Sequence, residues 1–295
     1  MTPAVTALFQ SSVLAAAAAV PASRPTSWIA PGLTGALAVP CYVLASEGSA
    51  LIIDTGLASH WDMIRDGLDA ILADVPDRAL MMTRREPDAI SNLPAIVERY
   101  ALRAVYCGGV ISPLNFFERV DSTSTVQHIR SIANSDVAWL RPGDIVRVGQ
   151  LRVEVLPTTL RVLPKNHLYE SRSRTLFASD TWGLLPQAQT GALEVVRSDG
   201  PSLSLRAIAG YLRHRFEWLA GIDTNPMQEE LAELLTARRI DRICSSYGCV
   251  IEGRELVASV MQRTIDALDI LSSERPSRRL DSLDRALLAA ALRSR

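Results

Sequence analysis

Two apolar runs around a short polar turn constrain this chain more than any other stretch. Tyr42-Val43-Leu44-Ala45 and Ala50-Leu51-Ile52-Ile53 flank Glu47-Gly48-Ser49, and the second run leads into Asp54-Thr55-Gly56. Short apolar runs bounded by turn residues read as a β-hairpin. Behind them Ile64, Leu68, Ile71 and Leu72 recur at helical spacing between Trp61 and Leu72, which predicts a helix packed back on the hairpin. Ala79-Leu80-Met81-Met82 reads as a further strand that delivers the chain to a loop from Arg84 to Ala89. At 295 residues and 48% hydrophobic, the sequence can bury a large core around such elements.

The same reading continues along the chain. Leu93, Ile96, Val97 and Tyr100 predict a helix over Ile90 to Tyr100, followed by a strand at Ala104 to Cys107 and a mixed stretch around Asn115 to Ile132. Ile145 to Val148 and Leu151 to Leu156 alternate on both sides of Gly149, which predicts a second half-buried hairpin. Thr158 to Arg174 reads as a loop, Thr175 to Ala178 as a strand, Leu205 to Leu219 and Met227 to Ala237 as helices, and Arg242 to Ser245 as a last strand. Hairpins followed by strands separated by helices indicate an α/β layered sandwich rather than a doubly wound sheet. Residues 1–271 are expected to form this domain. Residues 272–295 are expected to form an amphipathic helical tail, striped by Leu280, Leu283, Leu287 and Ala291.

The apolar segment Val13 to Ala22 lacks the basic flank of a signal peptide and reads as early strands. No run approaches the ~18 apolar residues that span a bilayer. A net charge of -1 makes no case for nucleic acid or an anionic membrane. Cys41, Cys107, Cys244 and Cys249 lie scattered in apolar segments without zinc-module spacing, so buried free thiols and a reducing, cytoplasmic setting are expected.

Chemistry concentrates at Thr83-Arg84-Arg85-Glu86-Pro87-Asp88-Ala89-Ile90-Ser91-Asn92-Leu93-Pro94. Together with Leu51 to Gly56, Leu140-Arg141-Pro142-Gly143-Asp144, Leu176 to Gly183, Tyr211 and Ser245-Ser246-Tyr247-Gly248, this loop resembles the metallo-β-lactamase fold. Within that fold the chain is similar to the diiron domain of flavodiiron proteins and to the shorter oxygen-binding diiron proteins, over residues 35 to 255. The resemblance implies a four-layer αβ/βα sandwich. In flavodiiron proteins the loop reads H-x-E-x-D-H, with a third and fourth histidine and a bridging aspartate following. On that correspondence Glu86, Asp88 and Asp180 keep the carboxylate positions. The histidine positions fall on Arg84, Ala89, Arg161 and Tyr247. The chain's histidines, His60, His128, His167 and His214, lie elsewhere, although His167 belongs to the displaced third-ligand loop.

The expectation is a vestigial site at Arg84, Glu86, Asp88, Ala89, Arg161, Asp180 and Tyr247, with no cofactor and with an internal salt-bridge network in place of metal. The alternatives are a diiron centre, or a single magnesium or manganese ion on the three carboxylates. Arg84, Arg85 and Arg161 are also candidates for holding an anion. The leading function is a noncatalytic structural or regulatory subunit, or a small-ligand sensor, working as a homodimer or beside an intact paralogue. The rival class is an enzyme: a diiron oxidoreductase for oxygen or nitric oxide, or a metal-independent hydrolase.

Overall fold

The computed structural model describes residues 5–10, 12–21, 35–108, 131–132, 135–183 and 190–274. The chain begins with β1 (Val5–Phe9), β2 (Val13–Ala16), β3 (Ala18–Pro21), β4 (Ala36–Leu37), β5 (Cys41–Ser46) and β6 (Ser49–Ile53). Next come α1 (Trp61–Leu72), β7 (Asp77–Met81), the single turn α2 (Pro87–Ile90), α3 (Leu93–Arg99), β8 (Ala104–Gly108), β9 (Ser131–Ile132) and β10 (Ser135–Leu140). The second half holds β11 (Ile145–Val148), β12 (Leu151–Leu156), β13 (His167–Glu170), β14 (Thr175–Phe177), β15 (Gly191–Ala192) and β16 (Val195–Val196). It closes with α4 (Leu205–Arg215), α5 (Asn225–Ala237), β17 (Arg242–Cys244), β18 (Val250–Glu252) and α6 (Arg254–Ser272).

An eight-stranded sheet, in the order β1-β2-β5-β6-β7-β8-β10-β9, faces a seven-stranded sheet in the order β11-β12-β13-β14-β17-β18-β16. A small third sheet runs β15-β3-β4. The period-2 alternation of each strand divides the core into three. Tyr42, Leu44, Leu51 and Ile53 point between the sheets, where they meet Val146, Val153, Phe177 and Cys244. Their neighbours Val43, Ala50 and Ile52 point outward onto Ile64, Leu68, Leu93 and Ile96 of α1 and α3. On the other side Leu156, Tyr169, Leu176 and Ile243 carry α4, α5 and α6. The expected four-layer αβ/βα order follows, since each sheet has one face on the other sheet and one face under helices.

Most sequence assignments match these elements to within a few residues, and the segment around Val13 is indeed strand. Two differ. The stretch read as a loop from Thr158 to Arg174 contains β13, buried at all four residues because β12 and β14 pair with its edges while Leu168 faces the other sheet and Tyr169 the helices. The last described element is α6, a 19-residue helix that the sequence reading did not assign. It buries Val257, Val260, Met261, Thr264, Ala267, Leu268 and Leu271 at helical spacing. The tail helix expected over residues 272–295, striped by Leu280 to Ala291, lies outside the described residues from 275 onward. Cys41, Cys107, Cys244 and Cys249 are all buried and free. No helix among the described residues is long and apolar enough to cross a membrane.

The turn between β11 and β12 presses on the other sheet. Gly149 has a φ of 54°, and a Cβ there would lie 2.1 Å from Ser49 Oγ of β6. Gly143 has a φ of 95° but open space around it. Gly143→Ala should therefore cost about 1 kcal/mol, the backbone penalty alone. Gly149→Ala should cost about 2 kcal/mol more through overpacking. Denaturant midpoints at unchanged m-value measure the difference, and equal losses would show that the turn is not pressed against β6.

Candidate functional site

The site forms where four strands of two parallel pairs end. β6 pairs parallel with β7, and β14 with β17. The first strand of each pair is left through a left-handed residue, Asp54 with φ 56° and Ser179 with φ 54°. Such a backbone is unfavourable for L-residues and is held by its surroundings. The Asp54 carboxylate accepts from the Thr83 N–H at 2.7 Å and from the Thr83 and Ser246 hydroxyls at 2.8 Å each. Burial raises its pKa, against the pull of the Thr83 N–H and Arg84. The Thr83 and Ser179 hydroxyls lie 3.1 Å apart, and the Ser246 N–H donates to the Ser179 carbonyl at 2.7 Å. The loop after β7 is further tied to the start of β13, through an isolated antiparallel bridge between Arg84 and Lys165 and an Asn166 N–H to Thr83 carbonyl bond of 2.9 Å.

Three cations and three carboxylates meet inside this frame. Arg84, only 1% exposed at its side chain, donates from Nη1 to the hydroxyls of Ser179 at 2.8 Å and Ser246 at 3.0 Å. Its Nη2 donates to Asp88. Glu86 and Asp180 lie 3.7 and 3.9 Å from its guanidinium. Lys165 Nζ donates to Asp180 Oδ1 at 2.6 Å and to Thr181 Oγ1 at 2.8 Å. Arg215, at the end of α4, donates to Asp180 Oδ2 from Nε at 2.7 Å and to Glu86 from Nη2 at 2.5 Å. Glu86 and Arg215, with side chains 15% and 10% exposed, form the solvent side of the cluster.

Burial and charge divide these groups. Burial alone would raise the Asp180 carboxyl, but Lys165, Arg84 and Arg215 outweigh it and hold the group well below the usual carboxylate range. Asp88 is the contrary case, pushed up to about 6 by burial although Arg84 opposes the shift. Burial also disfavours the Arg84 charge, yet Asp88 and Asp180 keep it firmly protonated. The Lys165 ammonium is lowered by burial, with Asp180 opposing.

Of the positions singled out in the sequence, Arg84, Glu86, Asp88, Asp180 and Tyr247 converge. Tyr247 shares a 2.8 Å hydrogen bond with Tyr211, whose hydroxyl also donates to the Asp180 carbonyl. The Tyr247 ring fills the space over Gly183, where a Cβ would stand 2.1 Å from it, and its face lies 5.8 Å from the Arg84 guanidinium. Ala89 is buried in the α1/α3 core and brings only a methyl group to the region. Arg161 does not join the cluster. It is exposed with Val162, Leu163 and Pro164, because the chain enters the site only at the Arg84–Lys165 bridge, four residues later. Of the arginines expected to hold an anion, Arg84 bonds Asp88, Ser179 and Ser246, and Arg161 lies apart from it.

Lys165 and Arg215 escaped the sequence reading. The Phe216 ring lies 5.1 Å from Lys165 Nζ. His167 is buried and uncharged. Burial, aided by Lys165, lowers it from 6.5 to about 3, and its Nε2 lies 2.8 Å from Thr181 Oγ1.

The donor set does not suit a metal ion. Both oxygens of Asp180 are bonded to ammonium or guanidinium groups, one oxygen of Asp88 is bonded to Arg84, and among the described residues no three His, Cys, Asp or Glu side chains are grouped to hold a metal. A cation placed about 4 Å from each buried positive group would be repelled by roughly 4 kcal/mol per unit-charge pair at an effective dielectric of 20.

No family model and no curated protein matches the sequence. Solved structures do match in fold. The rubredoxin oxygen:oxidoreductase of Desulfovibrio gigas is 16% identical with a TM-score of 0.64, over 90% of this chain and 61% of that one. A variant of the flavo di-iron protein of Thermotoga maritima is 14% identical with a TM-score of 0.63, over 90% of this chain and 61% of its own. A fragment of a diflavin flavoprotein from Nostoc is 15% identical with a TM-score of 0.60, over 93% of this chain and 100% of the fragment. The chain thus spans about three-fifths of the first two proteins. It has the metallo-β-lactamase-type fold of flavodiiron proteins.

Proposed function

We propose that this chain is a flavodiiron-like protein whose metal-ligand histidines have been substituted, and that it works as a noncatalytic structural or regulatory subunit. The observation that carries this reading is the Arg84 guanidinium, buried where a strand-end loop presents Glu86 and Asp88, with its Nη1 bonded to Ser179 and Ser246 and its Nη2 to Asp88. An imidazole there could share a carboxylate with a metal ion. Arginine cannot shed its proton to do so. Arg84 is tied to its own protein's Asp88, Ser179 and Ser246, which supports a subunit over a sensor. A dimer, with itself or with an intact relative, is the assembly proposed.

Protein purified from iron-supplemented cells should carry well under one iron or zinc per chain, and light scattering at micromolar concentration should show association, alone or with the nearest paralogue. Stoichiometric diiron would restore the oxidoreductase reading. A clean monomer under both conditions would sink the subunit reading.

Removing Arg84 leaves Asp88 and Asp180 short of a buried partner, so Arg84→Ala should lose on the order of 3 kcal/mol in denaturant unfolding. A loss below about 0.5 kcal/mol, the range of ordinary surface changes, would mean that the guanidinium does not neutralise them.

The buried His167 predicts a pH dependence. Its pKa is lower folded than unfolded, so its contribution is fully present above pH 6.5 and is lost as pH falls toward about 3. The slope is at most about 1.4 kcal/mol per pH unit. Asp88, raised to about 6, acts with the opposite sign as pH falls from about 6 to 3.8, so the comparison must be made between proteins that both retain it. His167→Gln should lose stability less steeply than the parent chain between pH 6.5 and 4. Parallel curves would show that His167 takes up its proton in the folded state.

A further inference from the structure

A strip of arginines crosses the second sheet at the end opposite the Arg84 cluster. The cluster forms where β14 and β17 end, whereas Arg174 precedes β14, Arg238 and Arg239 precede β17, and Arg152 lies near the start of β12, which runs parallel to both. Strand register aligns these residues. Arg152 stands directly opposite Arg147 of β11, the edge strand of the sheet. The turn from β13 to β14 brings Arg172 and Arg174 alongside, and the Asp241 N–H continues the row by donating to the Arg174 carbonyl at 2.9 Å. With strands about 4.8 Å apart, the row from β11 to β17 is roughly 19 Å long.

Along this row Arg147, Arg152, Arg172, Arg174, Arg238 and Arg239 face the acids Glu154, Glu170 and Asp241, while Arg242 is spent on Glu252. Glu170 is occupied by the N–H groups of Arg172 and Ser173. Asp241 lies between two guanidiniums, 3.0 Å from Arg174 and 3.1 Å from Arg239. Glu154 likewise lies 3.1 Å from Arg238 and 3.5 Å from Arg152. Arg147 and Arg172 are exposed and form no ion pair with an acid among the described residues. Like charges directly opposite in an antiparallel pair destabilise it, so Arg147 and Arg152 cost stability where they stand. Guarding a sheet edge against unwanted pairing would take Arg147 alone, since Arg152 is on the inner strand. The two repeat the arrangement of Arg174 and Arg239, except that no carboxylate of the chain bridges them.

We propose that this strip binds an acidic polypeptide segment of a partner protein, with an Asp or Glu carboxylate bridging Arg147 and Arg152. Guanidinium forks take carboxylates through paired, charge-assisted bonds. A phosphodiester strand, with a charge about every 3.4 Å, would set phosphates against Glu154 and Asp241. A polypeptide can space its carboxylates to pass them. Because the strip lies at the other end of the sheets from Arg84, the proposal does not depend on how that site is read.

The test titrates the full-length chain into fluorescein-labelled poly-L-glutamate at low salt, read by fluorescence anisotropy, beside an oligothymidylate of matched charge and phosphatidylserine vesicles. Poly-L-glutamate should bind more tightly than either. The double variant Arg147→Thr/Arg152→Thr should bind it about tenfold more weakly, and Arg147→Thr alone about threefold. The Tm of both variants should hold or rise, because threonine suits a strand and the repulsion is gone. No binding by the parent chain overturns the proposal, as does equal binding by the variants. Tighter binding of the oligothymidylate or the vesicles overturns it in favour of a phosphate-binding surface. If the double variant loses Tm together with affinity, Arg147→Thr decides, and unchanged affinity there overturns the proposal.

Discussion

The pairing of Asp180 with Lys165 and Arg215 is the interaction around which the site is arranged. Asp180 follows β14 in the second sheet, Lys165 precedes β13, and Arg215 ends α4, so three separate elements are committed to one carboxylate. Arg84 then brings in the first sheet through Asp88 and the hydroxyls of Ser179 and Ser246. Buried ions must be matched in place or they destabilise the fold by several kcal/mol each. Matching them across the two halves therefore fixes how the halves meet.

The surrounding polar groups serve the same end. Asp54, Thr83, Ser179 and Ser246 form a hydrogen-bonded layer beneath the cluster, and its Ser179 and Ser246 hydroxyls accept from Arg84. Tyr211 and Tyr247 cap it, and the absence of a side chain at Gly183 makes room for the second ring. The left-handed residues Asp54 and Ser179 are held where they contact this layer, so local backbone strain and the polar network support each other.

The comparison with flavodiiron structures concerns fold alone, at 14 to 16% identity. Within that likeness the strand-end geometry and the carboxylates at 86, 88 and 180 need positive charge beside them. Imidazole with metal is one solution, and guanidinium with ammonium is another. Arginine and lysine cannot give up charge at neutral pH as easily as histidine can, so the second solution favours a settled structure over exchangeable ligands.

What was legible in the sequence is what depends on neighbours along the chain. The apolar runs at 41–53, the alternating runs at 145–156 and the helical spacing at 61–72 define their elements because each buries apolar surface whatever it packs against. The order of Glu86, Asp88 and Asp180 was legible for a related reason, as motif spacing reflects strand-end turns. Lys165 and Arg215 were not, since nothing local distinguishes them from the exposed Arg161, and only the bridge to Arg84 decides which basic residue turns inward. The strand β13 and the helix α6 were missed on similar grounds, one hidden by polar residues at its ends and the other lacking an N-terminal cap. The sequence by itself determined the layers and the acidic positions, through local periodicity and turn geometry. Tertiary structure alone decided which cations answer them, because charge balance in a buried site is settled by side chains that are distant in sequence and meet only when the sheets pack.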